Sequence, residues 1–155
     1  MTDLTIRQYR IDDKPSCLNI FDSNLPKYFD PSERADFASY LDAPSGHYLV
    51  GEINGRLIAC GGWGQLPDRS TATLDFGMVH AGYHGAGIGS QMLERRLSDM
   101  AEIAEIKTVI LDTSQHVAGF FKRFGFSETS VVPNGYGPGL HRHNMILKFR
   151  DPGTE

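Results

Sequence analysis

The spacing of apolar and polar residues predicts a chain that begins and ends with strands and carries helices between them. Alternating or continuous apolar runs cover residues 48–53 and 56–63, on either side of Asn54-Gly55. This dipeptide favours a tight hairpin, because both turn residues adopt positive φ. The same reasoning predicts further strands at 5–10, 71–79, 108–111, 126–132 and 144–149.

Helical spacing appears between these strands. The longest pattern follows Gly87, where apolar residues recur at the 3.6-residue period from Ile88 to Ala104. Another helix is predicted to open at Asp30-Pro31-Ser32-Glu33, with Asp30 as N-cap, a proline in the first turn and Glu33 bonding back to the cap. Shorter helices are predicted from Ile11, and from Ser114 to Gly125.

The resulting order, βααβββαβαββ, predicts the α/β (α+β) class: one domain over 1–150, with a frayed tail at 151–155. We expect a mixed, mostly antiparallel sheet of about six to seven strands with helices on both faces. The hairpins make antiparallel pairs, and each of the two crossover helices is expected to join parallel neighbours. The glycine-rich segment 133–139 is predicted to be a loop between the last two strands.

Composition narrows the function classes. The chain has 155 residues, 40% hydrophobic and 22% charged, with a net charge of −4, which disfavours nucleic-acid binding. It shows neither a bilayer-length apolar run nor a signal peptide, so a cytoplasmic protein without membrane contact is expected. Six histidines are present, but no carboxylate or cysteine completes a spaced ligand set, so we expect no metal. A homodimer is compatible with the sequence.

The segment 79–90 is the most informative of the chain. Gly85, Gly87 and Gly89 alternate between an apolar strand and a helix, a layout that offers bare backbone N–H groups and a helix N-terminus to a pyrophosphate. The alternative is a tight strand–helix connection without a ligand. A Walker loop is excluded, because Ile88 follows Gly87 where Lys-Ser or Lys-Thr is needed, and the dinucleotide fingerprint has a different glycine spacing.

Two blocks of the chain resemble the GCN5-related N-acetyltransferase (GNAT) family. His84-Gly85-Ala86-Gly87-Ile88-Gly89 is similar to that family's acyl-CoA loop, Q/R-x-x-G-x-G/A, with His84 in the Gln or Arg position. Leu111–Ser114 and Phe120–Phe126 resemble its next block, an apolar strand and a helix that ends in an aromatic pair and Gly-Phe. The blocks occur in the family's order, and the resemblance extends over essentially the whole chain.

The resemblance implies that acetyl-CoA enters a cleft where the glycine-loop strand splays from a central parallel neighbour. It implies that the backbone of Met78 and Val79 binds the pantetheine arm and the thioester carbonyl. Backbone N–H groups from Gly85 through Ser90, next to His84, are then expected to bind the pyrophosphate. The resemblance also brings Ser114, Phe121 and Lys122 to the cofactor; Lys122 and Arg123 either meet the nucleotide phosphates or favour the helix end as solvated cations.

Two residues depart from the family pattern. Ser114 replaces the usual asparagine, and Phe121 stands where many members carry the tyrosine that protonates the leaving thiolate. For that proton we favour Tyr136, with Ser114, His116 and solvent as alternatives. Its glycine-flanked segment precedes the last strand, and the other interpretation of Tyr136 is surface packing.

The acceptor is expected to be an amine. A lysine-like amine has a pKa near 10.4, so its neutral form costs about 4.6 kcal/mol at pH 7, and a base assists. Asp75 is the candidate base, with a raised pKa if buried; otherwise it is a structural carboxylate. Tyr28, Phe29 and Trp63 are candidates for the acceptor wall or for the core.

The sequence therefore predicts an N-acetyltransferase that moves an acetyl group from acetyl-CoA to an amine. A small molecule is preferred as the acceptor, and a small amine, an antibiotic, an amino acid and a protein N-terminus are all open. One alternative is a non-catalytic acyl-CoA sensor or regulatory protein, which the absence of tyrosine at position 121 favours. Another is a nucleotide-binding module that uses the same loop for ATP.

Overall fold

The computed structural model describes residues 3–149, so the tail expected at 151–155 lies outside the described residues. Two short 3-10 turns, Ile11–Asp13 and Pro31–Glu33, precede the first two α-helices. The helices are α1 (Lys14–Ser23), α2 (Arg34–Asp42), α3 (Ile88–Ala101) and α4 (Ala118–Arg123). The strands are β1 (Thr5–Gln8), β2 (His47–Ile53), β3 (Arg56–Gln65), β4 (Thr71–Val79), β5 (Thr108–Thr113), β6 (Ser127–Gly137) and β7 (Leu140–Lys148).

Local signals in the sequence account for several element ends. Asn54 and Gly55 adopt φ of 52° and 77° between β2 and β3, so the predicted hairpin turn is confirmed. Asp30 accepts a hydrogen bond from the N–H of Ser32 at 3.0 Å, while Glu33 accepts one from the N–H of Asp30 at 2.8 Å. This reciprocal pair is the predicted capping box, and it closes the 3-10 turn that leads into α2.

The strands form one sheet in the order β1-β2-β3-β4-β5-β7-β6 among residues 3–149. Every neighbouring pair is antiparallel except β4 and β5, which are parallel. The predicted mixed, mostly antiparallel sheet is therefore confirmed. The expectation that both crossover helices join parallel neighbours is wrong for α4, because β7 bonds to β5 and separates it from β6.

The last hairpin also differs from the prediction. Residues 133–137 belong to β6 rather than to a loop, because Gly137 pairs again with Leu140 of β7 after an interruption that follows Val132. The pairing is irregular between Val132 and Gly137, and Asn134 within this stretch adopts a φ of 55°. The imidazole of His141 accepts a hydrogen bond from the N–H of Asn134 at 3.0 Å and supports this local departure from strand geometry.

Helices cover both faces of the sheet, as predicted. Leu49 lies between Tyr48 and Val50 in β2, so its side chain points to the opposite face. Tyr48 and Val50 pack in one cluster with residues of α1 and α2, whereas Leu49 packs with Ile88 and Met92 of α3. A third cluster joins the end of α3 to α4 and β5.

The gap that positions the site lies between β4 and β5. The two strands pair only from 71–73 with 108–110, although β4 continues to Val79 and β5 to Thr113. On its other side β4 shifts register against β3 between Cys60 and Gly62, opposite Phe76, whose φ is 45°. This bulge bends β4 away from its parallel neighbour, so the strands splay as expected.

Candidate active site

The splayed strands open onto a cavity of about 700 Å³. Its walls come from β4, β5, the glycine turn, α3, α4, the segment between α1 and α2, and β6. A volume of this size is typical of small-molecule and cofactor sites. Of the residues predicted for the site, the lining includes Asp75, Tyr136, Met78, Val79, His84, Gly85, Gly87, Ile88, Gly89, Ser90, Ser114, Phe121, Tyr28 and Phe29.

The glycine turn presents backbone to this cavity. Gly85 and Gly87 adopt φ of +82° and +79°, and nothing lies within 4 Å of a Cβ built on either residue. Gly87 is the N-cap of α3, so the N–H groups of the first helical turn have no carbonyl partner within the helix. These donors and the positive end of the helix dipole face the cavity. Ala86 lies in the turn but outside the cavity lining.

The end of β4 is fixed by side chains from two other elements. The carbonyl of Val79 accepts a hydrogen bond from the Asn24 side-chain amide at 2.9 Å and lies 2.9 Å from Nε2 of His84. Asn24 is buried and also donates to the carbonyl of Ile20 at 2.8 Å, while Tyr28 packs edge-on against the imidazole of His84. The carbonyl of Val79 is therefore already used within the protein.

Asp75 lies on β4 immediately before the bulge. The hydroxyl of Thr73 donates to its carboxylate at 3.1 Å. Burial raises the pKa of Asp75, whereas the Thr73 bond and the charge of Arg96 lower it and the charge of Asp112 raises it further. A carboxylate with a raised pKa in a ligand-sized cavity is a candidate base.

Tyr136 reaches the cavity from β6. Gly137 packs directly against the side chain of Asp30, a contact that leaves no room for a Cβ and brings the hairpin onto the start of α2. The hydroxyl of Tyr136 donates to Asp112, which also lies 3.5 Å from Arg142. Burial raises the pKa of Tyr136, and the Asp112 carboxylate raises it further.

The remaining cavity wall on this side is aromatic and acidic. Tyr28 and Phe29 line it, together with Phe76, which is 39% exposed. Glu33 also lines it, and burial raises the pKa of this carboxyl. Trp63 does not: it is 4% exposed, and its ring packs in the core and stacks on His47, because its position on β3 directs it to the α4 face.

Of the three side chains that the resemblance brings to the cofactor, two line the cavity and one does not. Ser114 is buried at the end of β5 and Phe121 lies on α4, and both line the cavity. Lys122 lies outside the lining, where its ammonium binds the Glu128 carboxylate at 3.0 Å. Its neighbour Arg123 lines the cavity and supplies the cation on this helix.

Sequence reasoning missed two buried polar residues. Arg96 lies on the apolar stripe of α3 that Ile88, Met92 and Met100 define, and all four are buried. A charged residue at that position of the period was a signal of a buried cation. Asn24 carried no such signal, since its contact with β4 joins residues 55 positions apart.

The described part of the chain contains neither a metal-binding cluster nor a helix that could span a membrane. No group of three metal-binding side chains occurs within 3–149. No helix in that part of the chain combines the length and apolar character needed to cross a bilayer.

Comparison with known proteins identifies the family of this chain. The acetyltransferase (GNAT) family profile matches residues 15–126, whereas no curated protein sequence is significantly similar. The chain resembles the ribosomal-protein-S18-alanine N-acetyltransferase of Escherichia coli with a TM-score of 0.80 at 20% identity, covering 98% of this chain and 97% of that one.

Two further solved structures contain ligands. The yncA protein of Salmonella typhimurium, solved with acetyl-CoA, matches with a TM-score of 0.75 at 17% identity over 99% of this chain and 98% of its own. An aminoglycoside 6'-N-acetyltransferase complexed with coenzyme A gives a TM-score of 0.75 at 14% identity, over 97% and 99%. From the profile match, which spans most of the sequence, this chain belongs to the GNAT family of acetyltransferases, whose co-substrate is acetyl-CoA.

Proposed function

We propose that this protein is an N-acetyltransferase that transfers the acetyl group of acetyl-CoA to the amine of a small molecule. The observation that carries the proposal is the cavity between the splayed β4 and β5, which joins the open amides of the glycine turn to the carboxylate of Asp75. Such a cavity accepts a long cofactor at one end and a second reactant at the other. We also propose that the protein is cytoplasmic, as its sequence leads us to expect.

The cofactor contacts follow from the available backbone groups. The N–H groups from Gly85 to Ser90 bind the pyrophosphate, and Arg123 approaches the nucleotide phosphates from α4. Met78 and Val79 line the path of the pantetheine arm. Because the carbonyl of Val79 is bonded within the protein, we expect this residue to contribute its N–H.

Transfer requires a neutral amine. Its nitrogen attacks the thioester carbonyl carbon, the new C–N bond forms, and the C–S bond breaks to release the thiolate of coenzyme A. Asp75 accepts the proton that the amine loses, directly or through a water molecule. Burial raises the pKa of Asp75 towards neutral pH. A general base is most effective when its pKa lies near the pH at which the enzyme works.

The thiolate then needs a proton. Tyr136 is the proposed donor, since its hydroxyl lies in the same cavity as Asp75. Its raised pKa keeps it protonated at neutral pH but also makes proton release unfavourable beside Asp112. We therefore expect Tyr136 to make a modest contribution, with solvent as the competing donor.

The acceptor side favours a small cationic amine. Glu33, Asp75 and Asp112 supply carboxylates, and Tyr28, Phe29 and Phe76 supply aromatic surface. Carboxylates attract the protonated amine before it is deprotonated, and aromatic faces bind ammonium groups. This surface lies within a concave cavity, which suits a small molecule better than a protein chain.

The test is thiol release from acetyl-CoA across a panel of primary amines, with the acetylated product identified by mass spectrometry. The proposal expects release that depends on the amine and a product heavier by one acetyl group. A non-catalytic acyl-CoA sensor, which Phe121 favours, would bind coenzyme A in calorimetry and release no thiol with any amine. Competition by ATP would identify a nucleotide-binding module instead.

A further inference from the structure

Arg96 is a buried cation on the wall of the cavity. It projects from the middle of α3 and is 5% exposed. Its guanidinium lies against Gly61 of β3 and Gly77 of β4, where a built Cβ would come within 3.0 Å and 3.1 Å of guanidinium atoms. The two glycines therefore make room for an arginine directly beside the bulge of β4.

The hydrogen-bonding capacity of Arg96 is only partly used. Nε donates to the carbonyl of Met92 at 3.2 Å, and Nη1 donates to the carbonyl of Gly62 at 3.3 Å. Within residues 3–149, Nη2 makes no hydrogen bond and the guanidinium forms no ion pair; the Asp75 carboxylate acts on it only through its charge, without a hydrogen bond. Burial lowers the pKa of Arg96 to about 10, so the group is charged at neutral pH. Buried charges are normally paired.

Arg96 lines the cavity together with Gly77 and Met92. It follows Ile88 by eight residues along α3, which places it roughly 12 Å from the helix N-terminus at 1.5 Å per residue. Its guanidinium lies against Gly61 and Gly77, beside the bulge of β4, rather than against the glycine turn at 85–90 where the pyrophosphate is proposed to bind. The partner belongs to the reacting end of the cavity.

We propose that Arg96 binds a carboxylate carried by one of the two reactants, either on the acyl group or on the amine acceptor. The planar guanidinium fork matches a carboxylate through parallel hydrogen bonds, and the bound anion pairs the buried charge. This inference rests on the proposed acetyltransferase function and adds a substrate class to it: reactants with a carboxylate a short distance from the reacting atom.

Matched ligand pairs test the proposal in the unmodified protein. Calorimetry compares succinyl-CoA with pentanoyl-CoA, and thiol-release assays compare leucine with isopentylamine and phenylalanine with phenethylamine. A charged hydrogen bond contributes about 1.5–3 kcal/mol. In either the acyl-CoA pair or the amine pairs, we therefore expect the compound with the carboxylate to bind or react roughly tenfold better or more. Preference within the acyl-CoA pair assigns the carboxylate to the donor, and preference within the amine pairs assigns it to the acceptor.

Variants then connect the preference to Arg96. In R96Q the ratio within the favoured pair should fall to about one, R96K should retain part of it, and R95Q, on the exposed face of α3, should leave it unchanged. If R96Q does not fold, the ratios in the unmodified protein and in R96K decide.

Equal binding and turnover within every pair would overturn the proposal. So would an R96Q variant that shifts the pH profile equally for all substrates while the ratios persist, because Arg96 would then act only on Asp75. Absence of thiol release with any amine would reject the proposed function, whereas the calorimetric comparison of the two acyl-CoA molecules would still report on Arg96.

Discussion

The proposed cofactor end and the proposed acceptor end of the cavity are built in different ways. The proposed pyrophosphate site is one continuous segment, from the end of β4 through the glycine turn to α3, and it offers mainly backbone N–H groups. The acceptor end assembles side chains from β4, β5, β6 and the segment before α2. An invariant ligand such as pyrophosphate is recognised by main chain, whereas specificity for an acceptor comes from side chains that can vary without altering the fold.

The largest effect is expected from removing the proposed base at the acceptor end. Asp75→Asn should lower turnover by about 10²-fold or more, since general bases contribute about 10²–10⁴. Affinity for coenzyme A should stay unchanged, because the pyrophosphate contacts lie at the other end of the cavity. Steady-state kinetics and calorimetry measure the two quantities, and unchanged turnover would remove Asp75 from the mechanism.

The corresponding change at the proposed cofactor end alters the backbone conformation of the glycine turn and removes no reacting group. Gly87→Val places a branched side chain at φ +79°, which costs about 1–2 kcal/mol and displaces the amides of the turn. We expect coenzyme A to bind roughly tenfold more weakly by calorimetry.

Gly55→Val is the matched control for this change. Gly55 has φ +77° and equally open surroundings, but it lies in the β2–β3 turn. It should lose similar stability and keep its affinity. Equal loss of affinity in both variants would show that strain alone, rather than the position of the turn, weakens binding.

A smaller effect is expected from Tyr136→Phe. Loss of the hydroxyl removes the proposed acid and the bond to Asp112, and we expect kcat to fall by about tenfold or less. Tyr9→Phe is the control, since its hydroxyl donates to the carbonyl of Leu41 away from the cavity lining. Wild-type rates for the Tyr136 variant across the pH range would reject its role as acid.

The smallest expected effect is the change in thermal stability caused by Asp75→Asn. It distinguishes the role of Asp75 in catalysis from its effect on folding. Its folded-state pKa is raised by burial, so between the ordinary and the raised value the folded protein binds more protons than the unfolded chain. Stability from this group therefore declines as pH rises through that interval. Asp75→Asn should unfold at a higher temperature than the wild type at pH 7, with the difference shrinking below the ordinary pKa of aspartate. A lower melting temperature at pH 7 would contradict this account.

Features that depend on neighbouring residues could be predicted from the sequence, whereas features that depend on distant segments could not. The glycine turn, the Asn54-Gly55 hairpin and the Asp30 cap depend on neighbouring residues, so local pattern sufficed. The strand character of 133–137 depends on the partner strand β7, and local pattern misassigned it as a loop. For Trp63 local pattern left the acceptor wall and the core open, and only the packing of β3 places it in the core. Arg96 was visible as a charge on an apolar stripe, but its position against Gly61 and Gly77 depends on how α3 packs on the sheet.

The proposed function depends above all on binding of the cofactor pyrophosphate by the backbone amides from 85 to 90. The most direct measurement is a crystal structure of the protein with acetyl-CoA. We expect the diphosphate oxygens within hydrogen-bond distance, about 2.7–3.2 Å, of these backbone nitrogens, with the pantetheine arm between β4 and β5. A nucleotide bound elsewhere, with the glycine turn free of phosphate, would contradict the account.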